Sequence, residues 1–420
     1  MEVQIISKEI VKPSFPTPDC LRIHKLSILD QMVLGSSFPI ILFYSTTSSY
    51  RYEISNHLKR SLSKALTLFY PFAGRLSSCL QVDCNDDGVS YVEANVGCDI
   101  SMIVEHPDTE QLKGLLPSEP DHQEGLLSVQ VNYFMCDGIA ISVLVKHLLG
   151  DASSLATFVK SWADVARWGH CVEGMIFDCT SLFPPMKCLD FSSVFQGNSS
   201  LFQKTVNKRF LFEGSKIADL RKKFGNGNLT RYEAVSALIW RAFMIASKQM
   251  GEKSMKNHMM VSLVDLRRRM KQGSEGDFIG NLCRSTIAHC SSHEITDYNQ
   301  LAGKIHDSIQ KMNDEWDDID KMMNTTAAVV KELADEEASS TRVFAISSWC
   351  RIPFYETNFG WGKPLWVGTA STIGRQMGGI FMDTCDGQGI EAWIGLPVDY
   401  MTHLEQDSDI RQFASFTAST

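Results

Sequence analysis

His147 and Asp151 stand four positions apart in Lys146-His147-Leu148-Leu149-Gly150-Asp151, and the pair joins a side chain that titrates near neutrality to a carboxylate. A neutral imidazole within hydrogen-bond reach of a hydroxyl can take its proton as the oxygen attacks a carbonyl. The spacing alone is weak evidence, because among 11 His and 49 acidic residues such a pair arises by chance and is commonly a surface feature. The same residues invite a triad reading with Ser142 or Ser153 as nucleophile. Against it, the chain has no G-x-S-x-G elbow to expose a serine.

The elements that must hold the pair are legible on either side. From Leu127 to Cys136, apolar Leu127, Val129, Val131, Tyr133 and Met135 alternate with polar Ser128, Gln130 and Asn132, the pattern of a half-buried strand. Asp137-Gly138 then reads as a tight hairpin turn, and Ile139 to Val145 as a second strand. Beyond it Leu155, Phe158, Val159, Trp162, Val165 and Ala166 recur at helical spacing. His147 therefore falls where a strand hands over to a helix, with Asp151 and Ser153 at the helix entrance, where capping groups are favoured. A second segment, Asn358-Phe359-Gly360-Trp361-Gly362-Lys363-Pro364, places glycines around two aromatic rings and predicts tight turns or close backbone approach.

Together these segments resemble the BAHD family of plant acyl-CoA-dependent acyltransferases, whose signatures are H-x-x-x-D near the middle and D-F-G-W-G near the C-terminus. Ordered matches extend along the chain: Pro16-Thr17-Pro18, His24-Lys25-Leu26-Ser27, Leu29-Asp30, Phe69-Tyr70-Pro71-Phe72-Ala73-Gly74-Arg75-Leu76, Arg231-Tyr232-Glu233-Ala234-Val235, Asp265-Leu266-Arg267-Arg268-Arg269-Met270 and Gly280-Asn281. The stretches Ser154 to Phe158 and Ser347 to Arg351 look most like the vinorine synthase-like branch of alkaloid and terpenoid O-acetyltransferases.

The resemblance implies two chloramphenicol-acetyltransferase-like α/β domains, mixed sheets flanked by helices with a channel between them; pattern alone gives only mixed α/β. It implies His147 as general base, with no covalent acyl-enzyme, and acyl-CoA, acetyl-CoA by preference, as co-substrate with no permanently bound cofactor and no metal. The indole of Trp349 is the candidate oxyanion donor, with Ser347 as a second donor, and a core aromatic is the alternative reading of Trp349. Asp151 orients the site, in the family usually held by an arginine. The motif Phe359-Gly360-Trp361-Gly362 is intact, but Asn358 stands where the family has Asp, whose partner is an arginine of the segment containing Arg267. A neutral hydrogen bond there is weaker than a charge-assisted one, which leaves open a catalytically weakened member that binds a metabolite or partner protein. Transfer to an amine is the nearer alternative, and an α/β-hydrolase is disfavoured by the missing elbow.

Composition bounds the rest. With 420 residues, 44% of them hydrophobic, the chain has enough apolar content for two cores. A net charge of −9 without a basic block argues against nucleic acid. Three adjacent arginines, Arg267 to Arg269, cannot share one face, so at least one is expected in a structural ion pair. Neither a secretory signal nor a membrane span is expected, 12 scattered cysteines suggest reduced thiols in the cytoplasm, and a monomer is expected. Cys136 is expected to be inert. The pattern divides the chain into 1–195, a crossover at 196–207 and 208–420, with about 365–395 packing on the first half. Helices are expected over 216–223, over 231–248 behind a Thr230/Glu233 capping box, and over 316–337. Acceptor selectivity is assigned to loops such as Ser36-Ser37-Phe38-Pro39 and Gly374 to Gly379.

Overall fold

A computed structural model of the chain describes residues 1–45, 51–118, 125–171, 174–186, 205–225, 228–250, 256–270, 277–292, 297–334, 340–370 and 377–416. They form two compact units: Met1–Phe191 with Gln272–Leu282 and Ile352–Ala370, and Ser192–Lys271 with Cys283–Arg351 and Ser371–Thr420. Most of the expected crossover, 196–204, lies outside the described residues. Of the stretch 365–395, only its beginning joins the first unit.

In chain order the first unit contains β1 (Val3–Val11), β2 (Ile23–Lys25), α1 (Ile28–Gln31), β3 (Ser37–Tyr44), α2 (Arg51–Leu68), β4 (Arg75–Ser78), β5 (Gln81–Asp83) and β6 (Val89–Val96). Two short helices, α3 (Ile100–Val104) and α4 (Thr109–Gly114), precede β7 (Leu127–Tyr133), β8 (Ile139–Lys146) and α5 (Ala152–Trp168). The main sheet runs β1-β6-β7-β8-β3 and ends on a strand from far along the chain, Trp366–Gly368, while β2-β5-β4 make a small separate sheet. Phe134 N–H donates to Gly138 O across the expected hairpin, with Asp137 at φ +60.

The strand β7 is not half-buried. Every residue of β7 and β8 is buried, because β7 is covered on its polar face as well. Its polar side chains are satisfied internally: Gln130 Nε2 donates to Asn132 Oδ1 at 2.8 Å, and Asn132 Nδ2 donates to Leu115 O at 2.9 Å. On the other layer, Trp162 of α5 donates its indole N–H to Ser61 Oγ of α2 at 3.0 Å and stands among Phe158 and Phe359. Large buried rings of this kind each contribute roughly 1.5–3 kcal/mol, so α5 is anchored along its length.

The second unit is another mixed sheet. Its strands are β9 (Thr205–Phe212), β10 (Asn257–Asp265), β11 (Cys283–Ser291), β12 (Thr341–Ser348), β14 (Gly378–Asp383) and β15 (Ile390–Pro397), with β13 being the Trp366–Gly368 strand of the first unit. They are ordered β11-β10-β12-β14-β15-β9. The helix Arg231–Gln249 carries the expected capping box, Thr230 Oγ1 accepting from Glu233 N and Glu233 from Thr230 N. Its Phe243 packs on Phe344 and Tyr400, with ring centroids 4.9 and 5.4 Å away.

The helix expected over 316–337 is present as Ile319–Ala334, and a further helix that was not expected, Tyr298–Glu315, precedes it. Tyr298–Glu315 ends at Trp316, and Ile319–Ala334 begins after Asp318, whose carboxylate accepts from Lys321 N at 2.9 Å. An acidic run, Asp314-Glu315 and Asp317-Asp318, opposes the dipole at the end of one helix and suits the start of the next. Among the described residues ten cysteines are free thiols, exposed Cys136 among them. Cys79 corrects the expectation of reduced thiols throughout, being disulfide-bonded; scattered sequence spacing does not reveal which thiols meet in space. Among the described residues no helix is long and apolar enough to cross a membrane, and no cluster of His, Cys, Asp or Glu could hold a metal ion.

Candidate active site

The imidazole of His147 is placed by backbone geometry before any side chain acts. β8 pairs antiparallel with β3, Lys146 opposite Ser37, so the next amide, His147 N–H, donates to Ser36 O at 2.9 Å. A single 3₁₀ turn over His147–Leu149 then closes, and Gly150 at φ +156 swings the chain into α5. A Cβ at Gly150 would lie 2.5 Å from Ser154 Cβ, so only glycine permits this approach. Ser36 to Pro39 is thus largely the start of a strand rather than a pocket loop, and Phe38 lays its ring 4.6 Å from the imidazole centroid. Residues 371–376, from the other expected loop, lie outside the described residues.

Asp151 is the N-cap of α5. Its Oδ1 accepts from Ser154 N and its Oδ2 from Leu282 N, each at 3.0 Å. Asparagine in its place must turn an NH₂ toward one of two N–H donors, and a buried donor left unpaired costs about 1–3 kcal/mol. Asp151→Asn is therefore expected to lower the melting temperature by several degrees together with activity. Thermal unfolding monitored by circular dichroism checks this; unchanged stability with total loss of chemistry would assign the carboxylate to the reaction itself.

The segment 277–282 is stitched to the same helix start. Ser154 Oγ donates to Gly280 O at 2.9 Å and accepts from Gly280 N at 3.0 Å, which delivers Asn281 to His147. Asn281 Oδ1 lies 2.8 Å from His147 Nδ1, while its Nδ2 donates to His147 O at 2.7 Å and to Asp30 Oδ1 at 2.8 Å. With both amide hydrogens spent on acceptors, the oxygen must face Nδ1, and Nδ1 must carry a hydrogen. The neutral ring therefore keeps its lone pair on Nε2. Burial is the largest influence on this half-buried imidazole and lowers its pKa below 6.5, against smaller upward pulls from Asp151, Asn281 and Asp30. A ring in that state is neutral near neutral pH and can accept a proton at Nε2.

The glycine-rich motif belongs to the same unit but packs on Tyr44, at the end of β3 remote from His147. Asn358 Oδ1 accepts from Gly360 N at 2.9 Å and Gly362 N at 3.0 Å, an Asx-type turn in which both glycines take positive φ, +117 and +109. Phe359 is fully buried, 4.9 Å from the Trp162 ring and 5.9 Å from Tyr44, with Trp361 stacked on it at 5.8 Å. Phe359 is thus a core ring of the first unit. A carboxylate at 358 accepts the same two bonds, so Asn358→Asp is expected to retain activity and to hold or raise the melting temperature; loss of fold would show that the neutral amide is required.

Arg267 and Trp349 belong to the second unit. Arg267 Nη1 pairs with Asp265 Oδ1 at 3.2 Å, the structural ion pair expected for this run. Trp349 directly follows β12, its N–H donating to Phe381 O at 2.7 Å, and its side chain is buried. Asn281 and Asp30 carry the geometry around His147 yet appear in the sequence only within the motif matches Gly280-Asn281 and Leu29-Asp30, without a role. Phe38 is named only as part of the segment Ser36 to Pro39 assigned to acceptor selectivity.

The Transferase family profile matches residues 1–410. A limonoid 1-O-acetyltransferase of Citrus sinensis is 39% identical, covering all of both chains. Stemmadenine O-acetyltransferase of Catharanthus roseus is 35% identical over 97% of each. The crystal structure of vinorine synthase superposes with a TM-score of 0.86 at 32% identity, covering 98% of each chain.

Proposed function

The chain belongs to the Transferase family, the BAHD acyl-CoA-dependent acyltransferases, and from that premise we propose that it transfers acetyl from acetyl-CoA to a terpenoid hydroxyl with His147 as general base. Its two helix-flanked mixed sheets are the chloramphenicol-acetyltransferase-type domains of that family. The observation that carries the mechanism is the Asn281 amide against Nδ1 of His147, 2.8 Å away, which leaves Nε2 as a lone-pair acceptor. In the proposed step Nε2 takes the hydroxyl proton as the oxygen forms a bond to the thioester carbonyl carbon. The tetrahedral intermediate then expels the CoA sulfur, which recovers that proton from the imidazolium. Ester and free CoA result, with no acyl group passing through the protein. Trp349 is the candidate donor to the oxyanion on family likeness, and its replacement by Phe tests that role.

The terpenoid acceptor is favoured over an alkaloid because the limonoid acetyltransferase shares more identity with the chain, 39%, than the two alkaloid enzymes, 35% and 32%. Acetyl is favoured because the named acetyltransferases among these relatives share that donor group. The test incubates purified protein with acetyl-, hexanoyl- or benzoyl-CoA and a panel of oxygenated triterpenoid and indole alkaloid alcohols, following free thiol and ester mass. Acetyl esters of a triterpenoid, formed at least about tenfold faster than from benzoyl-CoA, are the expected result. Transfer confined to amines, or faster from benzoyl-CoA, would overturn the reading.

A further inference from the structure

We propose that Asp30 is a positioning residue for the reaction, its ionised carboxylate selecting the one orientation of the Asn281 amide that keeps the His147 proton on Nδ1. An asparagine amide can turn over with almost no change in shape, so its orientation is decided by its neighbours. Here the neighbours of Nδ2 are two acceptors, His147 O at 2.7 Å and Asp30 Oδ1 at 2.8 Å. Turning the amide over would set its oxygen against both at once. The carboxylate makes that state costly, because an ionised oxygen only accepts.

Asp30 is itself held against rotation. It is 2% exposed, in α1. Oδ1 also takes the Asn281 backbone N–H at 2.9 Å, and Oδ2 takes Ser27 N at 2.9 Å and Ser27 Oγ at 2.6 Å. Four donors surround the buried carboxylate, which supplies the solvation that an ionised group loses on burial. The path from Ser27 through Asp30 and Asn281 to Nδ1 includes a hydrogen bond between residues 251 positions apart in sequence. Substituting Asp30 by Asn removes the preference, since an amide at position 30 can present either an oxygen or an NH₂ to Asn281 and leaves a Ser27 donor without its carboxylate oxygen.

The inference rests on the general-base reading for its kinetic consequence but not for its spectroscopic one. Protein labelled with ¹⁵N-histidine is examined by NMR at pH 8, the His147 signals being identified by their loss in His147→Ala. Wild type is expected to show a protonated, pyrrole-type Nδ1 and a bare Nε2. Asp30→Asn is expected to move both resonances toward an averaged position, and to lower kcat about tenfold or more with KM for acetyl-CoA changed less than about twofold. Thr230→Ala, which breaks a capping box in the second unit, serves as a stability control and should leave the His147 signals and kcat as they were. If Asp30→Asn keeps the wild-type resonances, or loses no more kcat than Thr230→Ala, the proposal is overturned. Asp30→Ser, read the same way, decides the matter should Asp30→Asn fail to fold. If instead His147→Ala retains turnover, the general-base reading fails while the resonances still report on Asp30.

Discussion

Replacing His147 by alanine is expected to lower kcat by about 10²–10⁴-fold, the range of general-base assistance, equivalent to about 2.7–5.4 kcal/mol in the barrier. Acetyl-CoA binding should survive, because the β3–β8 register and the Ser36 contact are made by the backbone, and Asn281, the partner the imidazole would leave, stays held through Nδ2 by His147 O and Asp30. Calorimetric titration with CoA alongside turnover separates the two effects. Turnover within about threefold of wild type would remove His147 from the mechanism. The pH profile of wild type gives a second view. Because burial lowers the folded-state pKa from 6.5, most of the ring is neutral at pH 7, and the acid limb of kcat/KM should be centred below 6.5. An acid limb centred above 6.5 would contradict the desolvated site.

Asn281→Ala is expected to be the next most damaging change, lowering kcat by about 10–100-fold, or about 1.4–2.7 kcal/mol. It removes the acceptor at Nδ1 and two donors, so the proton is free to occupy Nε2, where it blocks the base. In serine proteases a misassigned tautomer costs about 10⁴ in kcat, which bounds the effect from above. The pH dependence distinguishes this cause from a change in basicity. The Asn281 contact pulls the His147 pKa upward, so its loss moves the acid limb to lower pH, and a deficit that persists at pH 8 must come from the tautomer. A variant whose deficit vanished at high pH would show that Asn281 acts on the charge alone.

These expectations rest on groups of very different legibility. The handover from β8 through His147 to α5 was readable because it is local: an alternating run, a turn dipeptide and a helical apolar repeat follow one another within the described 127–168. The capping role of Asp151 follows from the same proximity. The Thr230/Glu233 capping box was equally local and equally readable. The helix Ile319–Ala334 was read to within three residues at its start, whereas Tyr298–Glu315 before it was not read.

The amino-acid sequence by itself determined the mixed α/β class, the place of His147 at a strand end, the cap at Asp151 and the family signature that spans the chain. Tertiary structure alone decided which side chains meet there. The partner of Nδ1 lies 134 positions away and the carboxylate behind it 251 from that partner, separations at which no periodicity correlates one residue with another. It decided that Ser128, Gln130 and Asn132 face inward, because burial of the second face of β7 depends on what packs over it. It also made Phe359 a core ring held by Trp162 and Tyr44. Local chemistry chooses the elements, but hydrogen-bond partners and buried faces are set by which elements the folded chain brings side by side.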